Sequence, residues 1–250
     1  MEIRIEASHI CVISDLHLGN PYFNAGKLLV SFLKYLSEKN ISLCINGDGV
    51  DLLQISFPHL IATLPTITER IAMLYSAGIP LYYVVGNHDI YLEKFLVDWK
   101  GLSVVPFLDV MTNGKLIRIE HGHLHDTLFI YYPTCYALIT RCSGVLLKIF
   151  PRFHHMWEMK NKLILLRLKS LLKGDFSIVY EKTKYIKAAE YVLNQGYDAV
   201  IYGHTHRSYI TTMDNDKVFA NSGSWINSPG SYIEIKDGNV SLKKWEKTEN

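Results

Sequence analysis

Five times along this sequence a short apolar run leads directly into a knot of Asp, His or Asn. Ile10-Cys11-Val12-Ile13 runs into Ser14-Asp15-Leu16-His17, and Leu43-Cys44-Ile45 into Gly47-Asp48-Gly49-Val50-Asp51. Leu81-Tyr82-Tyr83-Val84-Val85 runs into Gly86-Asn87-His88-Asp89. A strand predicted over 115–120 leads into His121-Gly122-His123, and Ala199-Val200-Ile201-Tyr202 into Gly203-His204-Thr205-His206. Runs of this length suit buried strands. In an open α/β sheet, sites form outside the carboxyl ends of strands. The fold must therefore bring five strand ends to one place.

Between the knots the pattern turns helical. Leu28, Leu29, Phe32, Leu33 and Leu36 predict a helix over 24–39. A helix over 67–77 is closed by Gly78, and one over 180–195 by Gly196. Asn113-Gly114 predicts a hairpin turn, and Asp237-Gly238 joins strands Tyr232–Lys236 and Val240–Trp245.

Each knot alone has an ordinary explanation. Gly-Asp is a common turn, and His-x-His pairs arise by chance in a chain with 11 histidines. Five in order, each after a strand, are poorly explained by chance. Carboxylates, imidazoles and an amide oxygen suit borderline divalent ions such as Mn, Fe or Zn. No Cys lies in the knots, which excludes a thiolate centre. Asp48 has two oxygens and could bridge two ions. Cys11 and Cys44 sit in apolar runs and read as small buried residues of a reduced compartment.

Charge divides the chain. Its formal net charge is only +2. Residues 141–187 hold 11 Lys/Arg against 3 Asp/Glu, which leaves 15 against 21 elsewhere. The near-neutral balance excludes a chain built wholly around polyanions, but not a local patch. Residues 124–187 read as a helical, basic cap inserted into a single domain spanning 1–250. Within it Ile164, Leu165, Leu168, Leu171 and Leu172 share one helical arc, beside Lys162, Lys169 and Lys173. Tyr131, Tyr132, Phe150, Phe153 and Trp157 would line an apolar pocket or simply pack, and His154-His155 is a weak metal candidate. The N-terminus lacks the pattern of a signal peptide, so a cytoplasmic location is expected. No segment reads as a transmembrane span.

The ordered series Asp15-x-His17, Gly47-Asp48-x-x-Asp51, Gly86-Asn87-His88-Asp89, His121-Gly122 and Gly203-His204-x-His206 resembles the calcineurin-like metallophosphoesterase superfamily. Asn221-Ser222-Gly223-Ser224-Trp225 is similar to its closing segment. The resemblance implies an α+β fold, a four-layer αββα sandwich of two mixed sheets flanked by helices, with 124–187 as a helical cap. It implies two divalent metal ions, with manganese favoured over iron or zinc. Asp15, His17 and His206 would hold the first, Asp48 would bridge, and Asn87, His121 and His204 would complete the second. His88 would be the catalytic acid or charge stabiliser, Asp51 would fix its tautomer, and Asp89 would be structural.

Within that superfamily the two end motifs are similar to the UDP-2,3-diacylglucosamine diphosphatase branch. Enzymes of that branch cleave the pyrophosphate of a lipid A precursor and carry a helical insertion in the same position. They typically have Arg where this chain has His88, and Asp where it has His123. Either a hydrogen-bonding role behind the ligands or an ordinary polar loop position is open to His123. The resemblance implies a phosphate-ester or diphosphate substrate, a UDP-sugar–lipid diphosphate being one candidate, and is compatible with peripheral contact of 124–187 with the inner membrane surface. Nucleic acid ranks behind these partners. The alternatives are a soluble phosphodiesterase of the cyclic-nucleotide or nuclease type, and a non-catalytic scaffold using the basic cap.

Overall fold

The computed structural model describes residues 3–20, 23–52, 65–95, 97–99, 102–149, 176–226 and 230–246. Its strands are β1 (Ile3–Glu6), β2 (His9–Ile13), β3 (Ser42–Asn46), β4 (Leu81–Val84), β5 (Val97–Trp99), β6 (Leu102–Val105), β7 (Phe107–Thr112), β8 (Lys115–Glu120), β9 (Ala199–Tyr202), β10 (Tyr209–Thr212), β11 (Val218–Asn221), β12 (Gly230–Lys236) and β13 (Asn239–Trp245). The helices are α1 (Gly26–Lys39), α2 (Pro65–Ser76), α3 (Thr127–Tyr131), α4 (Pro133–Ile149) and α5 (Phe176–Leu193).

Two-residue alternation explains the layers. Ile10 and Val12 point one way from β2, Cys11 and Ile13 the other, and all four are buried. A strand with two apolar faces needs cover on both. Cys11, Ile13, Leu43, Ile45 and Leu81 pack under Leu29, Phe32, Leu33 and Leu36 of α1 and Leu74 of α2. Ile10, Val12, Cys44 and Val84 instead meet Leu108, Val110, Ile117, Ile119 and Ile201 of a second sheet. That sheet buries Val200, Tyr202 and Phe219 against Tyr185, Ala189, Val192 and Leu193 of α5. The result is the four-layer helix–sheet–sheet–helix sandwich.

Strand order is β13-β12-β2-β3-β4-β6-β5 in one sheet and β1-β7-β8-β9-β11-β10 in the other. β2, β3, β4 and β6 run parallel, as do β8 and β9. Both sheets also contain antiparallel pairs, so both are mixed. Asn46 joins the sheets, donating from Nδ2 to Glu120 O at 3.0 Å.

The predicted elements appear with shifted ends. α1 begins at Gly26 rather than 24 and stops where Asn40 turns left-handed (φ 53°, ψ 48°). α2 spans Pro65–Ser76, and Gly78, predicted to close it, follows in left-handed backbone (φ 73°). α5 runs from 176 to 193 and crosses the expected edge of the cap. Its later turns belong to the core, because Tyr185 and Ala189 pack on the sheet. Tyr131 and Tyr132 are exposed rather than lining a pocket. The arc at 164–172, its lysines, Phe150, Phe153, Trp157 and His154-His155 lie outside the described residues. No helix of the described residues is long and apolar enough to cross a membrane.

Phe32 is the centre of the outer helical layer. Its ring lies 5.1 Å from Trp225, 5.0 Å from Tyr232 and 5.2 Å from Trp245, centroid to centroid. Phe32→Ala should lower the unfolding free energy by about 3–5 kcal/mol. Chemical denaturation would read this, and a loss below about 1 kcal/mol would show that the cluster does not hold this layer.

Candidate metal centre

Every predicted site residue stands on a loop leaving the carboxyl end of a strand. Asp15 and His17 follow β2, Asp48 and Asp51 follow β3, and Asn87 and His88 follow β4. His121 follows β8, and His204 and His206 follow β9. The backbone is strained there. Asp15, His17, Asp48, His204 and His206 have φ between 48° and 64°. L-residues enter this left-handed region at a cost of about 1–2 kcal/mol each. They make up half of the non-glycine residues with positive φ among the described residues. Strain gathered in this way points to a functional site.

Two glycines let the loops close up. A Cβ on Gly86 would lie 2.3 Å from Asp48 Oδ1 and 2.5 Å from the Asp48 backbone nitrogen. One on Gly47, itself at φ +77°, would lie 2.3 Å from the His121 ring.

Two donor sets meet at Asp48. On one side His206 Nε2 is 3.1 Å from Asp15 Oδ1 and 3.2 Å from His17 Nε2, which is 4.0 Å from Asp48 Oδ2. On the other, Asp48 Oδ2 is 3.3 Å from His121 Nε2, which is 3.2 Å from Asn87 Oδ1. Donor atoms of Asp48, His121 and His204 lie within 4.8 Å of one another, as do those of Asp15, His17 and His206. All seven residues expected as ligands are thus together. His88 and Asp51 stand beside them, with His88 Nδ1 donating to Asp51 Oδ1 at 3.0 Å. The His88 ring lies 4.6 Å from that of His17.

The sequence model of calcineurin-like phosphoesterases matches residues 8–208. The chain belongs to this family. A UDP-2,3-diacylglucosamine hydrolase of Pectobacterium carotovorum is 26% identical over 92% of this chain and 96% of its own. One of Haemophilus influenzae is 26% identical over 81% and 84% respectively. A dimetal phosphatase from Danio rerio superposes with a TM-score of 0.51 at 10% identity, covering 94% of this chain and 95% of that one, which shows the shared fold. This calcineurin-like phosphoesterase is a metal-dependent hydrolase.

The residues fit divalent ions. The phosphoesterase's donor set is oxygen and imidazole nitrogen throughout. Asp15 Oδ1 is buried and accepts no well-aligned hydrogen bond. His121 donates from Nδ1 to Asn46 O at 2.8 Å, which turns Nε2 toward Asp48. His204 donates from Nε2 to Asp126 Oδ2 at 3.3 Å, which leaves Nδ1 for the site. Such outer partners orient ligating histidines.

Without metal, buried carboxylates hold protons on His121 and His88. Burial works against charge on His121, but Asp48 and Asp15 outweigh it and raise the imidazole to about 10. Burial likewise opposes charge on His88, yet Asp48 and Asp51 raise it to about 9. Burial would raise Asp51, but His17 and His88 hold it well below the usual carboxylate range. Burial and Asp48 push Asp89 up to about 6. Asp89 binds the N–H groups of Gly49 (2.9 Å) and Gly86 (2.6 Å) and the Tyr83 hydroxyl, bracing two loops.

His123 takes neither role open to it in the sequence. It is buried, and neither ring nitrogen has a hydrogen-bond partner. Burial and His121 lower it to about 3, so the ring is neutral. Four supporting residues were missed. Asn20 donates to Asp51 Oδ2 at 2.8 Å, Asn46 backs His121, Asp126 backs His204, and Tyr136 Oη accepts from Asn87 Nδ2 at 2.5 Å. Asn20 and Asp126 each lie within five residues of a predicted ligand, a proximity that could have drawn notice. Asn46, two residues before Asp48, was equally close, whereas Tyr136 gave no such signal. In the closing segment, Asn221 Nδ2 donates to Gly203 O at 2.6 Å and Ser224 Oγ to Asp15 O at 3.0 Å, tying two ligand loops.

Two outcomes follow from this geometry. Gly86→Ala must displace Asp48, so it should cost about 1–3 kcal/mol of stability and reduce bound metal; unchanged metal content by elemental analysis would contradict the close approach. A metal must also displace the proton on His121. Since that imidazole is charged below about 10, uptake of Mn at pH 7 should release protons, and affinity should rise with pH up to that point. Calorimetry in buffers of different ionisation enthalpy reads the proton release.

Proposed function

We propose that this phosphoesterase cleaves a P–O bond at a two-metal centre, with a diphosphate of UDP-sugar–lipid type as the favoured substrate. The observation that carries this reading is Asp48, which stands between two donor sets. Asp15, His17 and His206 complete one, and Asn87, His121 and His204 the other. When bound, two divalent ions, manganese before iron or zinc, would neutralise phosphoryl oxygens and lower the pKa of a water.

The chain's own groups supply proton chemistry. His88, held at about 9, carries a proton at neutral pH and would give it to the departing oxygen. Asp51 takes the Nδ1 proton in a hydrogen bond, so Nε2–H is the proton offered. Asn20 binds the second oxygen of Asp51 and limits its rotation.

The names of the relatives support a lipid-linked diphosphate. The excess of Lys and Arg over 141–187 suits an anionic substrate or a peripheral position at the inner membrane surface. His88, where the lipid A branch typically carries Arg, favours a second reading, a soluble phosphodiesterase.

The test is turnover with Mn of phosphomonoesters, bis(p-nitrophenyl) phosphate and UDP-linked diphosphates. Diphosphate cleavage supports the first reading, and diester cleavage alone the second. His88→Ala should keep both metals and lose about 10²–10⁴-fold in kcat. Near-wild-type turnover in that variant would remove His88 from the mechanism.

A further inference from the structure

The side chains behind the second donor set come largely from the root of the cap. His204 leans on Asp126, the residue directly before α3. Asn87 leans on Tyr136, on the first turn of α4. The amide is oriented by this contact: Nδ2 faces the tyrosine, and Oδ1 faces His121 Nε2 at 3.2 Å. His121, the remaining member, has its ring 5.5 Å from that of His123. The contact continues outward. His123 meets Phe129 edge-on at 4.9 Å, and Phe129 meets Tyr136 edge-on at 5.4 Å. A closed path of rings and hydrogen bonds thus runs from α3 and α4 onto Asn87, His121 and His204.

The first donor set is backed by the body of the fold. Asp15 accepts from His204 N at 3.0 Å, and its carbonyl accepts from Ser224 and Trp225 N. His17 faces Asp51 Oδ2 at 3.7 Å.

We propose that segment 123–136 is the outer coordination layer of one metal alone, the ion held by Asn87, His121 and His204, so that binding of this ion and docking of the cap root are a single linked event. The inference rests on the two-metal reading and deepens it. Asp126 and Tyr136 are positioning residues. They fix which atoms of His204 and Asn87 face the ion, and removal of such partners typically costs 10–100-fold in metal affinity. Linkage is reciprocal, so an ion that needs the cap root docked must also hold it docked.

The experiment compares metal-stripped wild type with Asp126→Asn, Asp126→Ala and Tyr136→Phe. Mn titration should show two ions in each. Asp126→Ala and Tyr136→Phe should weaken one site about 10-fold and leave the other unchanged. Asp126→Asn keeps an oxygen acceptor and should fall between wild type and Asp126→Ala. Hydrogen exchange over 127–149 should slow when Mn is added to wild type, and slow less in Asp126→Ala at the same Mn concentration. Unchanged affinities at both sites would overturn the proposal. So would equal loss at both sites with a lower melting temperature of the metal-free chain, which marks a folding defect. A wild-type chain that takes up one ion or none would overturn the two-metal reading itself, and is distinguishable because it appears before any variant is made.

Discussion

Four carboxylates, those of Asp15, Asp48, Asp51 and Asp89, are buried to 1% exposure or less along the seam between the two sheets. A buried charge is expensive unless it is paired and hydrogen-bonded. Much of the loop structure answers that demand. Asp48 Oδ1 takes the backbone N–H of His88, Asp15 Oδ2 that of His204, and Asp89 those of Gly49 and Gly86. Apart from the Asp89–Gly86 bond, which closes its own loop, a carboxylate on one loop here binds the backbone of another. The acidic cluster that would push the loops apart is also what ties them together.

The tie has a conformational cost. Five of the residues in the donor sets occupy left-handed backbone, and Gly86 is needed because Asp48 fills the space of its missing side chain. Strain of this kind persists only when the surroundings over-determine it. Here they do: Asn46 bridges the sheets behind His121, and the closing segment binds the loops of Asp15 and His204 from below. The rigid body holds the ligands where packing alone would not.

Much of this was legible in the sequence because period-two burial and strand-end chemistry are local. Ile10-Cys11-Val12-Ile13 announces a strand covered on both faces, and the knot after it announces a site. The short strands at 102–105 and 107–112 were not legible as separate elements, since only Pro106 divides a continuous strand-like stretch that the fold assigns to two different sheets. Helix α5 leads from the expected cap into the core, its later turns packing on β9 and β11. The roles of Asn46 and Tyr136 were not legible because they act through partners at least 49 positions away, Tyr136 through Asn87 and Asn46 through Glu120 and His121.

Strand order explains why the shared carboxylate is Asp48 and no other. In the seven-stranded sheet β3 lies between β2 and β4. Its loop therefore has a neighbour on each flank: the loop carrying Asp15 and His17, and the loop carrying Asn87 and His88. Backbone bonds record this position, with Asp15 N and His17 N donating to Gly47 O and Asp48 O at 3.1 and 2.9 Å. The facing sheet supplies the adjacent parallel pair β8 and β9, so His121 and His204 approach from across the seam. The loops after β2 and β4 each lie beside that of β3 but not beside one another, so only the residue after β3 has both as neighbours. The carboxylate that faces both donor sets therefore stands after β3, its Oδ2 turned to His17 at 4.0 Å and His121 at 3.3 Å while its Oδ1 takes the backbone N–H of His88.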